Sequence, residues 1–436
     1  MSSATRRVVI TGMSVNTPLG DTLDAHLAGL LAGRSAVTHW KSFDPGAIYS
    51  KIGADLAGYD INGRLDVLQA SRSIPDAIVT KARRIAAKAP WSVGLCMPLV
   101  LDAWADAGLF EVPIEDDAAA TVVGGHNIQS RYRTDNLHVF DDEPDYIDAL
   151  YAVHSHDTTH IGCVSDVLQL RGTGMLVGAA CATGLYALRS AIDEIRCHAA
   201  PAAIVVCPIA DVSPIDMHAM ALIGALSQKS FNDQPERASR PFDTGREGFV
   251  PAHGCGALVV EDLDHALGRE ARIYAEILGV ETGADGSHMP APSEAGGVRV
   301  MRRVLASTGI APERIDYING HFTSTPLGDL AEVAAIKRVF GRHSANLKAN
   351  ATKSMLGHTM ISSAVIELIG AVLQMRTGWL HPTINVDNLD PAVDIDICAN
   401  TAIEWPVRYF MKNAFGFGGL NASAVVGRYE AVRGEA

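Results

Sequence analysis

The chain contains no Cys-x-x-Cys pair, and its seven cysteines are an odd number. This argues against a secreted disulfide framework and against a zinc site of the usual paired spacing. No apolar run approaches the length of a membrane span; the stretch from Ala202 to Ala210 is too short and holds Pro208. Nor does a signal-type apolar segment open the chain, because Met1-Ser-Ser-Ala-Thr-Arg-Arg leads straight into the short strand-like run Val8 to Thr11. Basic residues are scarce relative to acidic ones, 36 against 49, for a net charge of −13. A general nucleic-acid footprint is thereby excluded, while a local basic patch for an acidic partner is not. No stretch reads as low-complexity linker. The expectation is a soluble, cytoplasmic protein.

What is present is a long chain, 436 residues and 48% hydrophobic. That length suits roughly two to three domain-sized units and a large core. Short apolar strands alternate with amphipathic helices, the mark of an α/β protein with buried sheets. Strands are predicted at Arg7–Thr11, Ala119–Val123, Met175–Ala180, Ala203–Cys207, Gly256–Glu261, Ile273–Val280, Tyr317–Asn319 and Ala422–Val426. Helices are predicted at Ala25–Ala32, Pro98–Ala107, Leu185–Cys197, Gly297–Ser307, Asp329–Phe340 and Ser362–Arg376. A faint echo links Thr121-Val-Val-Gly-Gly-His126 with Tyr317-Ile-Asn-Gly-His321, strand then Gly then His in both. The polar excursion from Thr134 to His160 carries His154, His156 and His160; its setting reads as a solvated or interface loop rather than a metal site.

Cys181 stands out. It lies in Gly178-Ala-Ala-Cys181-Ala-Thr-Gly184, between an apolar strand and a helical pattern with Leu185, Leu188, Ile192 and Ile195 on one face. A cysteine at that corner meets outward N–H groups and a positive helix end, which favour the thiolate nucleophile. A buried structural cysteine is the alternative, and the commoner fate. Three downstream motifs offer the accompaniment that thiolate chemistry needs. Asn319-Gly-His321-Phe-Thr-Ser-Thr325-Pro delivers His321 to a loop of hydroxyls. Lys353-Ser-Met-Leu-Gly-His358 lets Lys353 and His358 project to one place. Phe415-Gly-Phe417-Gly-Gly419 is a turn whose N–H groups suit half an oxyanion hole. Taken singly, each has an ordinary structural reading.

Together these motifs resemble those of the β-ketoacyl-acyl-carrier-protein synthases, the elongating ketosynthases of the thiolase-like condensing enzymes. The resemblance runs from Arg6-Arg-Val-Val-Ile-Thr-Gly-Met through Pro241-Phe-Asp-Thr-Gly-Arg246 and Asp285-Gly-Ser-His-Met289 to Asn413-Ala-Phe-Gly-Phe-Gly-Gly-Leu-Asn421. It implies a five-layered αβαβα fold of two similar halves, residues 1–265 with the cysteine and residues 266–436 with the His, Lys and His set. It implies a decarboxylative Claisen condensation with Cys181, His321, His358 and Lys353 as catalytic residues. Glu367, Phe417 and Phe415 would support them, and Thr323, Thr325 and Phe322 would bind substrate. No cofactor or metal is implied, since the substrates ride on the phosphopantetheine of an acyl carrier protein. A homodimer is the implied assembly, with a heterodimer of related subunits as the variant.

The run Lys81-Ala-Arg83-Arg84-Ile-Ala-Ala-Lys88 is a basic patch on a predicted helix, with Arg84 and Lys88 on one face. It fits a dock for an acidic carrier protein, with a solvated helix face as the alternative. Two positions depart from the family pattern: Phe322 where Gly is usual, and His253 where Glu is usual. They point to a specialised condensing enzyme of a fatty-acid, polyketide or similar natural-product pathway. Rival readings are a non-condensing acyltransferase or malonyl decarboxylase, and a non-catalytic chain-length-factor-like subunit. The intact Cys181 argues against the decarboxylase and the subunit, whose family members replace it.

Overall fold

The computed structural model describes residues 6–287 and 292–430, so His288 and Met289 of the Asp285 motif lie outside the described residues. Among the described residues, ten strands form one hydrogen-bonded sheet. In chain order they are β1 Val8–Asn16, β2 Ala120–Gly124, β3 Gly174–Val177, β4 Ala202–Cys207, β5 Cys255–Asp262, β6 Ala275–Ala284, β7 Tyr317–Asn319, β8 Lys348–Asn350, β9 Tyr409–Gly416 and β10 Leu420–Gly427. Their spatial order is β8-β7-β9-β10-β6-β1-β5-β4-β2-β3. Read outward from the centre, the first half runs β1-β5-β4-β2-β3 and the second β6-β10-β9-β7-β8, the same path twice. The senses repeat as well. β2 is parallel to β3 and β4, as β7 is to β8 and β9. β5 is antiparallel to β1 and β4, as β10 is to β6 and β9. β1 and β6 join the halves by only a short antiparallel ladder. The faint sequence echo is thus a duplication of the fold.

The halves close on two central helices, which makes five layers. Thr183–His198 packs on β2 and β4, and Ser363–Thr377 on β5 and β9. One apolar core drawn from both halves surrounds them. Outside the first half lie Ile61–Ser71, Asp76–Ala86, Trp91–Asp106 and Thr159–Leu168; outside the second lie Glu294–Thr308 and Gly328–Phe340, each set with its own core. Met360–Thr377 has the length and apolarity of a membrane span, contrary to the expectation that no run comes close, but it is this central helix and is buried within the protein.

Most predicted elements appear within a few residues of their expected bounds. β8 and β9 had no forecast. β9 hides because Lys412 and Asn413 sit in its middle, both fully buried. The helix predicted from Pro98 begins at Trp91 and carries Pro98 inside; burial along its length outweighs the lost hydrogen bond. Gly12 is required where β1 crosses this helix, since a Cβ there would stand 2.3 Å from the Ala103 carbonyl. The excursion read as a loop is mainly helical, with Ser130–Asp142, Tyr151–His154 and the start of Thr159–Leu168. Helix Ser130–Asp142 buries none of its residues, so its sequence shows no apolar stripe. His154 pairs with Asp148 at 3.2 Å, and His160 Nδ1 faces the Asp157 carbonyl at 3.1 Å. Among the described residues neither they nor His156 join a group of metal-ligating side chains.

Candidate active site

The chain leaves β3 at Val177 and turns through a short 3-10 segment, Ala180–Ala182, into the helix Thr183–His198. Ala180 adopts a positive φ of 47°, which an alanine enters only under constraint. Thr183 supplies that constraint: its Oγ1 accepts the Ala179 N–H at 2.8 Å and donates to the Ala180 carbonyl at 2.6 Å. Cys181 is thereby presented at the helix start, facing a cavity of about 500 Å³. The predicted resting thiolate is not met. Burial pushes the thiol up to about 11, against the opposing pull of the Lys353 ammonium and the N–H groups of Phe417 and Cys181 itself. Those two N–H groups converge on the sulfur from the Ala180–Ala182 turn and the β9–β10 hairpin. Gly416 permits the approach, because a Cβ there would lie 2.7 Å from the Ala179 carbonyl.

Two imidazoles face the sulfur from the second half. Cys181 Sγ and one ring nitrogen each of His321 and His358 all lie within 4.8 Å of one another. The rings are nearly perpendicular, with centroids 5.5 Å apart. His321 follows β7; its N–H and that of Phe322 donate to the buried Glu332 carboxylate. Its own carbonyl accepts Lys353 Nζ at 2.7 Å, and the same ammonium stands 3.4 Å from its Nδ1. His358 follows Gly357, whose φ of 76° makes the tight turn foreseen. Its Nδ1 accepts the Met360 N–H at 3.0 Å and faces the Ser363 hydroxyl at 2.9 Å. With both Nδ1 atoms met by donors, each ring carries its proton on Nε2. Burial first, then the Lys353 and Lys412 ammonium groups, holds both rings far below the ordinary histidine range and hence neutral.

Behind His321, Lys353 Nζ meets Glu367 Oε1 at 2.6 Å. Lys412, which the sequence reading missed, meets Glu367 Oε2 at 2.5 Å. Glu332, Thr183 and Ser363 were missed too; the one available signal was a lysine and an asparagine inside an otherwise apolar strand.

Cys181, His321, His358, Phe322, Thr323, Thr325, Phe415 and Phe417 all line the one cavity. Phe417 keeps 39% of its surface exposed at the mouth and stands 6.4 Å from Phe249, which in turn covers His358. Thr323 and Thr325 face each other at 3.0 Å, and Thr325 Oγ1 also accepts the Gly328 N–H, so these hydroxyls serve the local turn as well. Phe322 takes a φ of 24° and lays its ring over Gly320 and against Phe242, at the inner wall of the cavity. His253 lies elsewhere, between Trp40 and Trp91, where burial pushes it down to about 4. Its segment pairs with the backbone of His358.

The basic patch stands apart from the cavity. Arg83 is engaged by Asn62 and Asp66, and Lys81 by Asp166. The helix ends at Ala86, so Lys88 does not share a helical face with Arg84; both are exposed.

A duplicated sheet that brings one cysteine and two neutral imidazoles to a single cavity defines the thiolase-like class of carbon–carbon bond-forming acyltransferases. Comparison with known proteins narrows the class. Residues 5–266 match the N-terminal domain of β-ketoacyl synthases, and residues 274–387 match their C-terminal domain. The chain belongs to the β-ketoacyl synthase family. It is 36% identical to 3-oxoacyl-[acyl-carrier-protein] synthase 2 of Coxiella burnetii, over 97% of this chain and 99% of that one. It is 31% identical to a polyketide biosynthesis malonyl-ACP decarboxylase of Bacillus subtilis, over 98% of each. Among solved structures it resembles the ishigamide ketosynthase/chain length factor with a TM-score of 0.86 and 29% identity, over 98% of this chain and all of that one. It also resembles a type II polyketide ketosynthase solved in complex with its acyl-carrier protein, with a TM-score of 0.82 and 25% identity, over 98% of this chain and all of the other.

Proposed function

We propose that this protein condenses an acyl group held on Cys181 with a malonyl-type extender, both delivered on an acyl carrier protein. The observation that carries the reading is the facing of Cys181 by two Nε2–H imidazoles, with two backbone N–H groups on the sulfur. Cys181 Sγ attacks the acyl thioester, and the thiol proton leaves with the carrier's sulfur. The Cys181 and Phe417 N–H groups stabilise the tetrahedral oxyanion, a contribution worth about 3 kcal/mol per donor in comparable sites. The extender's thioester carbonyl then takes both Nε2–H donors. Loss of CO2 leaves an enolate, which these donors stabilise. Its carbon attacks the Cys181 thioester, the C–S electron pair leaves on Cys181 Sγ, which regains a proton from water, and a β-ketoacyl thioester departs on the carrier. Neutral imidazoles suit this step, since each must donate without surrendering its proton. Lys353, held by Glu367, orients His321. Thr323 and Thr325 contact the pantetheine arm, Phe415 walls the site, and Phe417 gates it.

The exposed Arg84 and Lys88, with Arg83, form the docking surface for the acidic carrier. Phe322 at the inner wall reshapes the acyl pocket for a specialised substrate of a polyketide or similar pathway. A cytoplasmic homodimer working without a cofactor completes the reading.

Intact-mass spectrometry after incubation with acyl-carrier protein tests it. An acyl adduct on the wild type that is absent from Cys181→Ala, followed by a product two carbons longer once malonyl-carrier is added, is expected. Release of CO2 without chain lengthening would make the protein a decarboxylase instead.

A further inference from the structure

Two lysines stand in the interior behind the cavity, and the condensation chemistry uses only one of them. Lys412 lies at the middle of β9 and is fully buried. It donates to Glu367 Oε2 at 2.5 Å, to the Asn413 carbonyl at 2.8 Å and to the Gly320 carbonyl at 3.2 Å. Glu367 is therefore held at both oxygens, by Lys412 on one and Lys353 on the other. Among the described residues, the other charged or titratable groups facing this cluster include Glu332, His321, His358, Cys181, His381 and Tyr317. Glu332 is already occupied by the N–H groups of His321 and Phe322 and the Asn413 amide. A glutamate held by one lysine keeps rotamer freedom at its far oxygen; a second buried donor removes it.

We propose that Lys412 is a positioning residue of the condensation site, holding the far oxygen of Glu367 so that the near oxygen fixes Lys353 against His321. Through Lys353 it sets the orientation and tautomer of that imidazole, while the Gly320 contact steadies the backbone just before it. Its positive charge also opposes protonation of His321 and His358. This rests on the reading of the two imidazoles as donors to an enolate.

The test compares Lys412→Met, which fills the space of the lysine stem without donor or charge, with Lys412→Gln, which keeps a donor and loses the charge. In K412M, transfer of the acyl group to Cys181 stays within about threefold, while kcat for condensation falls at least about tenfold and KM changes less than about threefold. The acid-side limb of its kcat profile moves to higher pH, because a cation that kept the imidazoles neutral is gone. K412Q recovers much of the neutral-pH rate with the limb still displaced. Wild-type kcat with an unmoved limb in K412M overturns the proposal, as does an equal loss in acylation and condensation, which would mean general damage to packing. Should K412M not fold, the limb in K412Q decides alone: displaced supports the proposal, unmoved overturns it. A wild-type protein that acylates but never condenses overturns the functional reading with it, whereas failure of this inference alone leaves wild type and K412M condensing equally.

Discussion

Replacing Glu367 with glutamine leaves two buried ammonium groups facing each other with no carboxylate between them. Removing one partner of a buried ion pair costs about 3–5 kcal/mol, because the remaining charge stays uncompensated. Here the remainder is two charges. Even with Glu367 present, burial lowers Lys412 from 10.5 to about 8, with the neighbouring Lys353 charge adding to the effect. That fall corresponds to about 3 kcal/mol of differential cost between the charged and neutral amine. Between about 8 and 10.5 the unfolded chain binds a proton that folded Lys412 has shed, so wild-type stability rises with pH across that window. Without the carboxylate the folded value drops further, and the rise begins at lower pH. Urea unfolding at fixed protein concentration should find Glu367→Gln less stable by about 3–5 kcal/mol near pH 7, with the gap at least halved near pH 9.5. A gap below about 1 kcal/mol, or one equal at both pH values, would refute the view that this carboxylate neutralises the paired lysines.

Three shorter predictions concern Cys181 and the groups around it. With the Cys181 thiol pushed up to about 11, its alkylation by iodoacetamide should quicken about tenfold per pH unit between pH 7 and pH 9; a plateau near neutrality would show a resting thiolate instead. Gly416→Ala places a methyl 2.7 Å from the Ala179 carbonyl and 3.1 Å from the Cys181 nitrogen. Acyl-adduct formation, followed by mass spectrometry, should slow by about 100-fold with an unchanged far-ultraviolet circular dichroism spectrum. Ser363→Ala removes one of the two donors to His358 Nδ1, worth about 1 kcal/mol. Steady-state assays should give a three- to tenfold lower kcat at unchanged KM.

Much of the site could be read before the fold was known, because its members sit in local contexts that carry chemistry. Cys181 follows an apolar strand and opens a helix; Gly357 precedes His358; glycines flank Phe417. These are short-range signals, written within a few residues. Lys412 and Glu332 were not readable in this way. A lysine in a strand reads as a break in it, and a glutamate on a helix reads as a surface acid. Their meaning depends on partners distant in the chain: Glu367 lies 45 residues from Lys412, and Asn413 lies 81 from Glu332. The excursion from Thr134 to His160 failed differently, since its first helix buries no side chain and leaves no periodic stripe to detect.

By itself, then, the amino-acid sequence determined the α/β class, the motifs that hold Cys181 and the two imidazoles, and the family to which they belong. Periodicity and turn chemistry are local, and a strand–turn–helix corner can be recognised from about ten residues. The tertiary structure alone decided that the corner and the two imidazoles meet within 4.8 Å, because they come from opposite halves of a duplicated sheet closed around two central helices. It also decided the charge states. Burial turned the expected thiolate into a thiol and made both imidazoles neutral. Desolvation depends on what surrounds a group in three dimensions, which no stretch of sequence contains.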